Sequence, residues 1–412
     1  MNRRVPLAFS ILIHNKKRLA VAIASISFAS ILMFQQQGYK HALYDSSSEI
    51  VRLMEGDLIV FSEARFALSS EQRFPRSTLD QVAGLQTVER AIPIYLENSV
   101  ARLRAMPERP SDNATSKASR WGRETLNRVF HKARPIRVIG IPLADNPFRF
   151  ELPPDRLQRL QAPRTALLDR LSKRQYGFDL SPQANQESQF AELSGRRVSI
   201  IGLFQLGQDF AHDGNMLMGQ DNFANYFPYR ARNPLSVVDL GIIRGRDHVA
   251  PADLKRDVAA QLPVGTTVLT REEFIQRESD FWAKSTPIGM IFTVGAVMGF
   301  VVGVIICYQI LVDDISNQIG EYATLKAMGY TNLFLCRVVV SQAAMLSIAS
   351  FIPSLIVTYA SFQLTYLAIG LRMELSLPRV VLVLSLTFGM CIFSSLLAIR
   401  RLIAADPASL FR

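Results

Sequence analysis

The sequence predicts an α-helical membrane protein with four transmembrane helices and a large α+β periplasmic domain inserted between helices 1 and 2. Three observations predict this fold class: uncharged stretches near both ends of the chain, a charged region between them, and mixed strand and helix patterns in that region. A membrane-spanning helix needs about 20 mostly apolar residues. The uncharged stretches lie at 19–34, 287–311, 338–371 and 380–399.

The first region, residues 1–38, is expected to hold an interfacial helix and transmembrane helix 1. Residues 6–15 place their apolar side chains on one side, which is typical of a short helix on the inner leaflet. The stretch 19–34 is the shortest of the four, but the three glutamines at 35–37 can end a helix among the headgroups. No small-x-small cleavage site follows it, so we expect a retained anchor and not a signal peptide.

The second region, residues 39–284, is expected to be the periplasmic α+β domain. Alternating segments at 57–62, 135–142, 197–204 and 236–244 predict strands. Ser77 with Asp80 and Thr270 with Glu273 are spaced as capping boxes, each of which predicts a helix start. We expect the second of these helices to run into transmembrane helix 2, so that two stalk helices continuous with helices 1 and 2 hold the domain. No disulfide is expected there, because the cysteines lie in or beside the membrane helices.

Residues near 105–134 differ from the rest of this domain. They have few large apolar side chains and are rich in Arg, Lys, Ser, Pro and Asn, which predicts a flexible basic insertion. Its positive charges suit anionic lipid or a partner protein. A solvated loop is the simpler interpretation.

Basic residues flank the outermost membrane helices. By the positive-inside rule they place both termini in the cytoplasm, and the protein is expected to be a multi-pass protein of the bacterial inner membrane. The residues are Arg3, Arg4, Lys16, Lys17, Arg18, Arg400, Arg401 and Arg412.

The third region, residues 285–412, is expected to contain helices 2–4. Gly295, Gly299 and Gly303 form a small-xxx-small ladder on helix 2, which predicts close packing against another helix of this chain or of a second copy. The alternative is that these glycines have no special role, because glycine is common in membrane helices.

Between helices 2 and 3, residues 313–329 are too charged to span a membrane. Their apolar residues recur every three or four positions, which predicts an amphipathic helix on the cytoplasmic surface. Gly329 is placed to end this helix in the left-handed conformation, and Asn332 to cap the next one. A plain interfacial connector is the alternative to a partner-binding helix.

Four strings carry a resemblance to a known family. They are EYATLKAMGY at 321–330, YQIL at 308–311, TPIG at 286–289 and ADPASLF at 405–411. With them the chain resembles the permease subunit of DevC-type ABC exporters, within the wider family of FtsX-like and MacB-like permeases. The resemblance covers most of the chain and departs from the family at 100–135, where the insertion is longer.

The resemblance implies a homodimer of permeases, each binding a cytosolic ABC ATPase subunit at the loop between helices 2 and 3. It implies mechanotransmission, in which the periplasmic domains push cargo into a periplasmic membrane-fusion adaptor and an outer-membrane channel of TolC type. The implied cargo of the DevC type is a glycolipid. The implied ATPase-coupling residues are Ile319, Glu321, Tyr322, Thr324, Leu325, Lys326, Ala327, Met328 and Gly329.

No Gly-x-x-x-x-Gly-Lys-Ser/Thr string occurs, so we expect ATP to be bound by the partner subunit and this chain to hold no cofactor. No spacing predicts a metal site or a catalytic residue, and membrane lipid, not nucleic acid, is expected around the chain. Two other hypotheses remain: an FtsX-like regulator that activates a periplasmic partner without moving cargo, and a membrane-anchored enzyme. The second lacks a recognisable set of catalytic groups.

Overall fold

A computed structural model describes residues 16–106, 133–150, 152–181, 189–209, 211–369, 371 and 373–404. The chain divides into two compact units, which we call the membrane unit and the inserted domain. The membrane unit consists of Met1–Ala42, Thr286–Ala368 and Arg372–Arg412, and the inserted domain of Leu43–Ser285 and Ile369–Leu371.

The described helices are α1 Lys16–Arg52, α2 Arg76–Ala83, α3 Pro154–Leu160, α4 Gln220–Tyr226, α5 Pro251–Gln261, α6 Arg271–Asp280, α7 Pro287–Asn317, α8 Ile319–Ala327, α9 Asn332–Ile369 and α10 Leu377–Ala404. The described strands are β1 Leu58–Ser62, β2 Phe74–Pro75, β3 Val88–Glu97, β4 Arg102–Ala105, β5 Arg134–Pro135, β6 Arg137–Ile141, β7 Thr165–Asp169, β8 Gln189–Leu193, β9 Arg196–Phe204, β10 Asn215–Gly219, β11 Val237–Val238, β12 Leu240–Gly245 and β13 Thr266–Thr270.

Four of these helices, α1, α7, α9 and α10, are long and apolar enough to cross a membrane. The strands and the shorter helices α2–α6 lie between α1 and α7 in the chain. This arrangement confirms the predicted fold class of four transmembrane helices with a large α+β domain inserted after the first.

The core of the membrane unit is built from all four long helices. Ile26, Cys307, Val339 and Val383 are each fully buried in it. Pro353 lies inside α9, where its ring removes one backbone donor and distorts the preceding turn. One carbonyl in that turn, of Ser350, accepts a hydrogen bond from the hydroxyl of Ser27 on α1 at 2.7 Å. A side chain of the neighbouring helix α1 thus bonds a backbone carbonyl in the turn before the proline.

The inserted domain is organised around an 11-stranded mixed sheet with the order β13-β1-β12-β3-β6-β10-β7-β9-β8-β4-β5. Two neighbouring pairs are parallel, β6 with β10 and β7 with β9, and the other pairs are antiparallel. A separate two-stranded sheet joins β2 to β11. All four segments predicted as strands lie in this framework, within β1, β5–β6, β9 and β11–β12.

Both faces of the large sheet are covered. On one face α2 and α5 pack through Leu79, Leu254 and Val258 into a core that includes Val60 of β1. On the other face, the C-terminal end of α1 and the helix α6 join a second core. Strands buried on both faces carry continuous apolar runs, as in the sequence LIVFS of β1.

The two predicted capping boxes had different outcomes. At α6 the Thr270 hydroxyl accepts from the Glu273 amide at 3.2 Å, and the Glu273 carboxylate accepts from the Thr270 amide at 2.8 Å, which confirms that box. The Ser77 box was wrong, because Ser77 lies inside α2, whose N-cap is Pro75, two residues earlier, with no side-chain hydrogen bond. The interfacial helix at 6–15 and residues 107–132 of the predicted insertion lie outside the described residues.

Candidate functional site

The segment predicted as one amphipathic helix at 313–329 is divided between two helices. The first part continues α7 as far as Asn317, and Gln318 leaves the helical conformation with φ −108° and ψ 12°. Its side chain donates to the Asp314 carboxylate at 3.1 Å. The chain then re-enters a helix as α8, so the candidate coupling segment is α8 together with the turn that follows it.

The turn after α8 is a Schellman motif. Gly329 has φ +90°, and its amide donates to the Lys326 carbonyl at 3.1 Å. The Tyr330 amide donates to the Leu325 carbonyl at 3.1 Å. These are the two hydrogen bonds that define the motif, and glycine adopts the left-handed conformation without the steric cost that a side chain adds. The expected role of Gly329 in ending the helix agrees with this geometry.

The cap of the next helix differs from the expectation. Asn332 is the first residue of α9 itself. The preceding residue, Thr331, takes the capping position, since its hydroxyl accepts from the Phe334 amide at 3.4 Å. Threonine and asparagine are both good N-caps, so the residue type alone did not distinguish these neighbouring positions.

One side of the coupling segment packs against the core of the membrane unit, and the other side is exposed. Leu325 packs against that core, and Ile319 and Lys326 are half-buried. Glu321 and Thr324 are exposed, as is Gly329. The side chains of Tyr322 and Ala327 lie outside the described part of the chain.

The exposed side continues past α8 as an apolar patch. Met328, Tyr330 and Leu333 are 63%, 45% and 64% exposed, and the rings of Tyr330 and Phe334 lie 4.7 Å apart. Sequence analysis did not assign Leu333 and Phe334 to the site, because their apolar character is equally typical of the start of a membrane helix. The signal available was the i, i+4 spacing of the two aromatic residues.

The glycine ladder of α7 lies against α1. A Cβ atom at Gly295 would stand 2.6 Å from the side chain of Gln36, and one at Gly299 would stand 3.4 Å from Met33. At Gly303 it would stand 3.1 Å from the Cβ of Ala29 and also meet α10. The partner of the ladder is therefore helix 1 of the same chain, approached closely because no side chain intervenes.

The helix α6 precedes transmembrane helix α7 and is anchored in the inserted domain. Burial raises the pKa of its Glu278, a shift opposed by two donors that hold the carboxylate. These are the Leu68 amide and the Trp282 indole, both at 2.8 Å. A π-helical turn Phe281–Ser285 follows, and Thr286 is extended, with φ −117° and ψ 147°.

The two expected stalks therefore differ. α1 runs without a break from Lys16 to Arg52, as predicted. The chain between α6 and α7 leaves the helical conformation, so the predicted continuity with helix 2 was wrong. Proline at the start of α7 explains the position of the break, because it disfavours helical conformation in the residue before it.

No group of three or more His, Cys, Asp or Glu side chains able to hold a metal ion occurs among the described residues. The buried carboxylate of Asp209 instead pairs with Arg137 and lies 3.0 Å from the Nδ1 of His212.

A family model matches part of the membrane unit. Residues 292–407 match the model described as FtsX-like permease C-terminal, and we call this stretch the FtsX-like domain because of that similarity. It includes most of α7 and all of α8, α9 and α10, so both the coupling segment and its Schellman turn lie in it.

The predicted resemblance to FtsX-like permeases is confirmed by this match. The matched model is that of a membrane permease, and the four long apolar helices of the described chain suit a multi-pass membrane protein. No curated protein sequence matches the chain.

Two solved structures are similar to the inserted region. The periplasmic region of MacB from Actinobacillus actinomycetemcomitans is 10% identical, with a TM-score of 0.35, and the match covers 54% of this chain and 92% of that one. The extracellular domain of the noncanonical ABC-type transporter YknZ from Gram-positive bacteria is 9% identical, with a TM-score of 0.32, and the match covers 52% of this chain and 98% of that one. TM-scores this low do not by themselves establish a common fold.

Proposed function

We propose that the protein is the permease subunit of an ABC exporter that works by mechanotransmission. A separate cytosolic ATPase binds α8 and the turn after it, and ATP-driven movement of this segment passes through the membrane helices to the inserted domain. The observation that carries the proposal is the FtsX-like domain, whose short helix α8 ends in a rigid turn and presents exposed Glu321, Thr324 and Met328.

The polar side chains of the membrane unit favour a function in transmitting movement and not one in conducting an ion. Its buried polar side chains, among the described residues, are serines, threonines and Gln342, without a buried charged relay. Ion pathways through membranes are marked by ionisable side chains. We therefore assign the export step to the inserted domain, working as a homodimer with a periplasmic membrane-fusion adaptor and an outer-membrane channel of TolC type. The cargo is lipid-like, and the DevC-type resemblance suggests a glycolipid.

The test begins with affinity isolation of the full-length protein from native membranes and identification of the bound subunits. We expect a cytosolic ATPase whose activity rises when the permease is present. Glu321→Lys reverses the charge of an exposed side chain on α8 and should abolish this stimulation while the protein still inserts. Glu374→Lys is the matched control, because it makes the same change at an exposed position in the loop between α9 and α10.

Unchanged stimulation in Glu321→Lys would contradict the assigned coupling segment. A cell-wall hydrolase in the isolated complex, in place of an adaptor and a channel, would replace export by the regulatory function of the FtsX type. Loss of a glycolipid from the outer membrane of cells that lack this protein would support the proposed cargo.

A further inference from the structure

The inserted domain has a cleft of about 470 Å³ with an unusual concentration of positive charge. This volume lies within the range of small-molecule sites in proteins. Three of its lining residues are arginines and none is acidic. The lining residues are Pro163, Arg164, Arg196, Arg197, Asn222, Asn225 and Tyr226.

One wall of the cleft is held by a buried asparagine. The Asn222 side chain donates to the Ala162 carbonyl at 2.9 Å and accepts from the Arg164 amide at 3.0 Å. It thereby fixes the loop before β7, in which Arg164 has φ +61°. A non-glycine residue in this conformation costs about 1–2 kcal/mol, so the surrounding bonds must hold it there. The Arg164 side chain is exposed, while the backbone of its loop is held by these hydrogen bonds.

A second part of the lining comes from the β8–β9 hairpin, whose turn residues Ser194 and Gly195 both have positive φ. The start of β9 lies beside the Arg164 loop, since the Ser199 amide donates to the Arg164 carbonyl at 2.8 Å. Arg196 follows the turn, and its Nη1 donates to the Asn225 carbonyl at 2.5 Å, which anchors the guanidinium at the end of α4. The Tyr226 hydroxyl donates to the Arg197 carbonyl, also at 2.5 Å, and ties the strand to the same helix.

The arginines do not all serve the cleft in the same way. Burial raises the pKa of the Tyr226 phenol, and the positive charges of Arg164 and Arg196 oppose this shift, which places both charges near the ring. Adjacent strand residues point to opposite faces of a sheet. The guanidinium of Arg197 accordingly lies 4.0 Å from the centre of the Phe190 ring. Arg164 and Arg196 are therefore the two cations of the cleft.

These two charges are not neutralised within the described part of the domain. Neither Arg164 nor Arg196 pairs there with a carboxylate, whereas other arginines of the same domain do, as Arg104 does with Glu192 and Arg244 with Glu89 at 3.2 Å. An exposed arginine is ordinarily just solvated. Here Arg164 is held in a restrained loop and Arg196 by a backbone carbonyl, and both line the same cleft as the buried Tyr226.

We propose that this cleft binds a phosphate group, with Arg164 and Arg196 both donating to its oxygens. Guanidinium groups match the geometry and charge of phosphate oxygens, and their fixed positions lower the entropy lost on binding. Asn225, which is exposed, adds a side-chain amide at the rim. The phosphate is carried either by a soluble phosphate ester or by a lipid headgroup. The proposal does not rest on the export function proposed above.

The test uses the full-length protein in a nonionic detergent and two probes measured by titration calorimetry. Glycerol 3-phosphate represents a soluble ester, and phosphatidylglycerol in mixed micelles represents a lipid headgroup. We expect saturable binding of at least one probe that weakens with added salt and weakens at least about tenfold in Arg164→Gln and in Arg196→Gln. Binding of glycerol 3-phosphate identifies a soluble ester as sufficient, and binding of phosphatidylglycerol alone identifies the headgroup.

Two further variants keep the result interpretable. Arg164→Gly removes the guanidinium, and glycine adopts φ +61° without steric strain. Loss of binding in this variant therefore cannot come from a strained backbone at this position. Arg256→Gln removes an exposed arginine of α5, outside the cleft lining, and should leave binding unchanged. Absence of saturable binding of both probes, or equal weakening in Arg256→Gln, would overturn the proposal.

Discussion

The membrane unit and the inserted domain both bury polar side chains, but of different kinds. In the described part of the membrane unit they are hydroxyls and one amide: Ser27, Ser30, Gln342, Ser347, Ser350, Ser354, Thr358, Thr387, Ser394 and Ser395. The inserted domain buries full charges, including Arg65, Glu97, Arg230 and Asp239. A charged side chain at the centre of a bilayer costs about 2.5–3.5 kcal/mol or more, whereas a hydroxyl can bond its own helix.

The buried charges of Arg65 and Asp239 are tolerated because each has several partners. The Asp239 carboxylate accepts from Arg65 at 2.8 Å, from Arg230, and from the Leu96 amide at 2.8 Å. Arg65 also donates to the carbonyls of Leu68 and Gln72. The comparison teaches that the domain is held by a connected ionic network and the membrane unit by close packing with small polar links.

Asp239→Asn should have the largest effect, since it removes the negative charge between two buried arginines and leaves Arg65 without a carboxylate partner, while Arg230 keeps only Glu97 at 3.7 Å. Breaking a buried ion pair from one side costs about 3–5 kcal/mol. We expect loss of that stability in the full-length protein, read as faster hydrogen exchange in β3 and β12. Asp253→Asn is the control, because its pair with Arg256 is exposed and worth about 0–1 kcal/mol. Equal effects of the two variants would contradict the network.

Gly303→Val should break the packing of the membrane unit at a cost of about 1–3 kcal/mol. A Cβ atom there would lie 2.4 Å from the Sδ of Met390 and 3.1 Å from the Cβ of Ala29. Gly389→Val is the matched control, since it adds the same side chain to a membrane helix where nothing lies within 4 Å. Thermal unfolding in detergent measures both. If Gly389→Val destabilised the protein as much, the loss would come from the helix and not from the contact.

The sequence predicts local features of this molecule better than distant ones. Gly329 and the Thr270 box could be predicted because their chemistry depends on residues a few positions away. The ladder at Gly303 was predictable as a packing face, but its partner Ala29 was not, because nothing in a spacing names a helix far away in the chain. The four membrane spans follow from composition alone.

The ionic network and the arginine cleft could not be predicted at all. Arg65 and Asp239 are 174 positions apart, and only the folded sheet brings them together. Arg164 precedes β7 and Arg196 begins β9, 32 positions later, and single arginines at such positions are typical of a solvated surface. The coupling segment could be predicted only in part. The end of its helix was predictable from residue types, whereas the break at Gln318 was not, because it depends on how α7 ends.

Acidification should weaken the inserted domain at a second polar cluster. Burial, together with the positive charge of Arg137, lowers the pKa of His212, while Asp209 and Asp213 oppose the shift. Protonation of His212 is therefore less favourable in the folded protein than in the unfolded chain. The stability of the folded protein should fall as the pH decreases below about 6.5, the ordinary pKa of histidine. One proton limits the slope to about 1.4 kcal/mol per pH unit.

His212→Asn keeps a donor for the Asp209 carboxylate and removes the titrating group. Hydrogen exchange in β6 and β10 should therefore depend less on pH between 7 and 5.5 in this variant than in the original protein. The titration of Asp209 lies below this pH range, because Arg137 and His212 hold its pKa well below the usual range despite burial. The contribution of Asp209 to stability is therefore lost only at lower pH. Identical slopes in both proteins would assign the pH dependence to other groups.

The smallest expected effect tests how weak the polar links of the membrane unit are. The hydroxyls of Ser30 and Thr387 lie 3.0 Å apart, and Ser30 also bonds the Ile26 carbonyl of its own helix at 3.1 Å. Since Ser30 has one proton, Thr387 is the donor between them. A double-mutant cycle with Ser30→Ala and Thr387→Val should give a coupling energy of about 0.6 kcal/mol. Ser385→Ala, whose hydroxyl bonds only its own helix at 2.8 Å, should give none with Ser30→Ala. A coupling energy as large as the Asp239 effect would remove the contrast between the two units, because hydroxyl links would then stabilise the membrane helices as strongly as buried charges stabilise the domain.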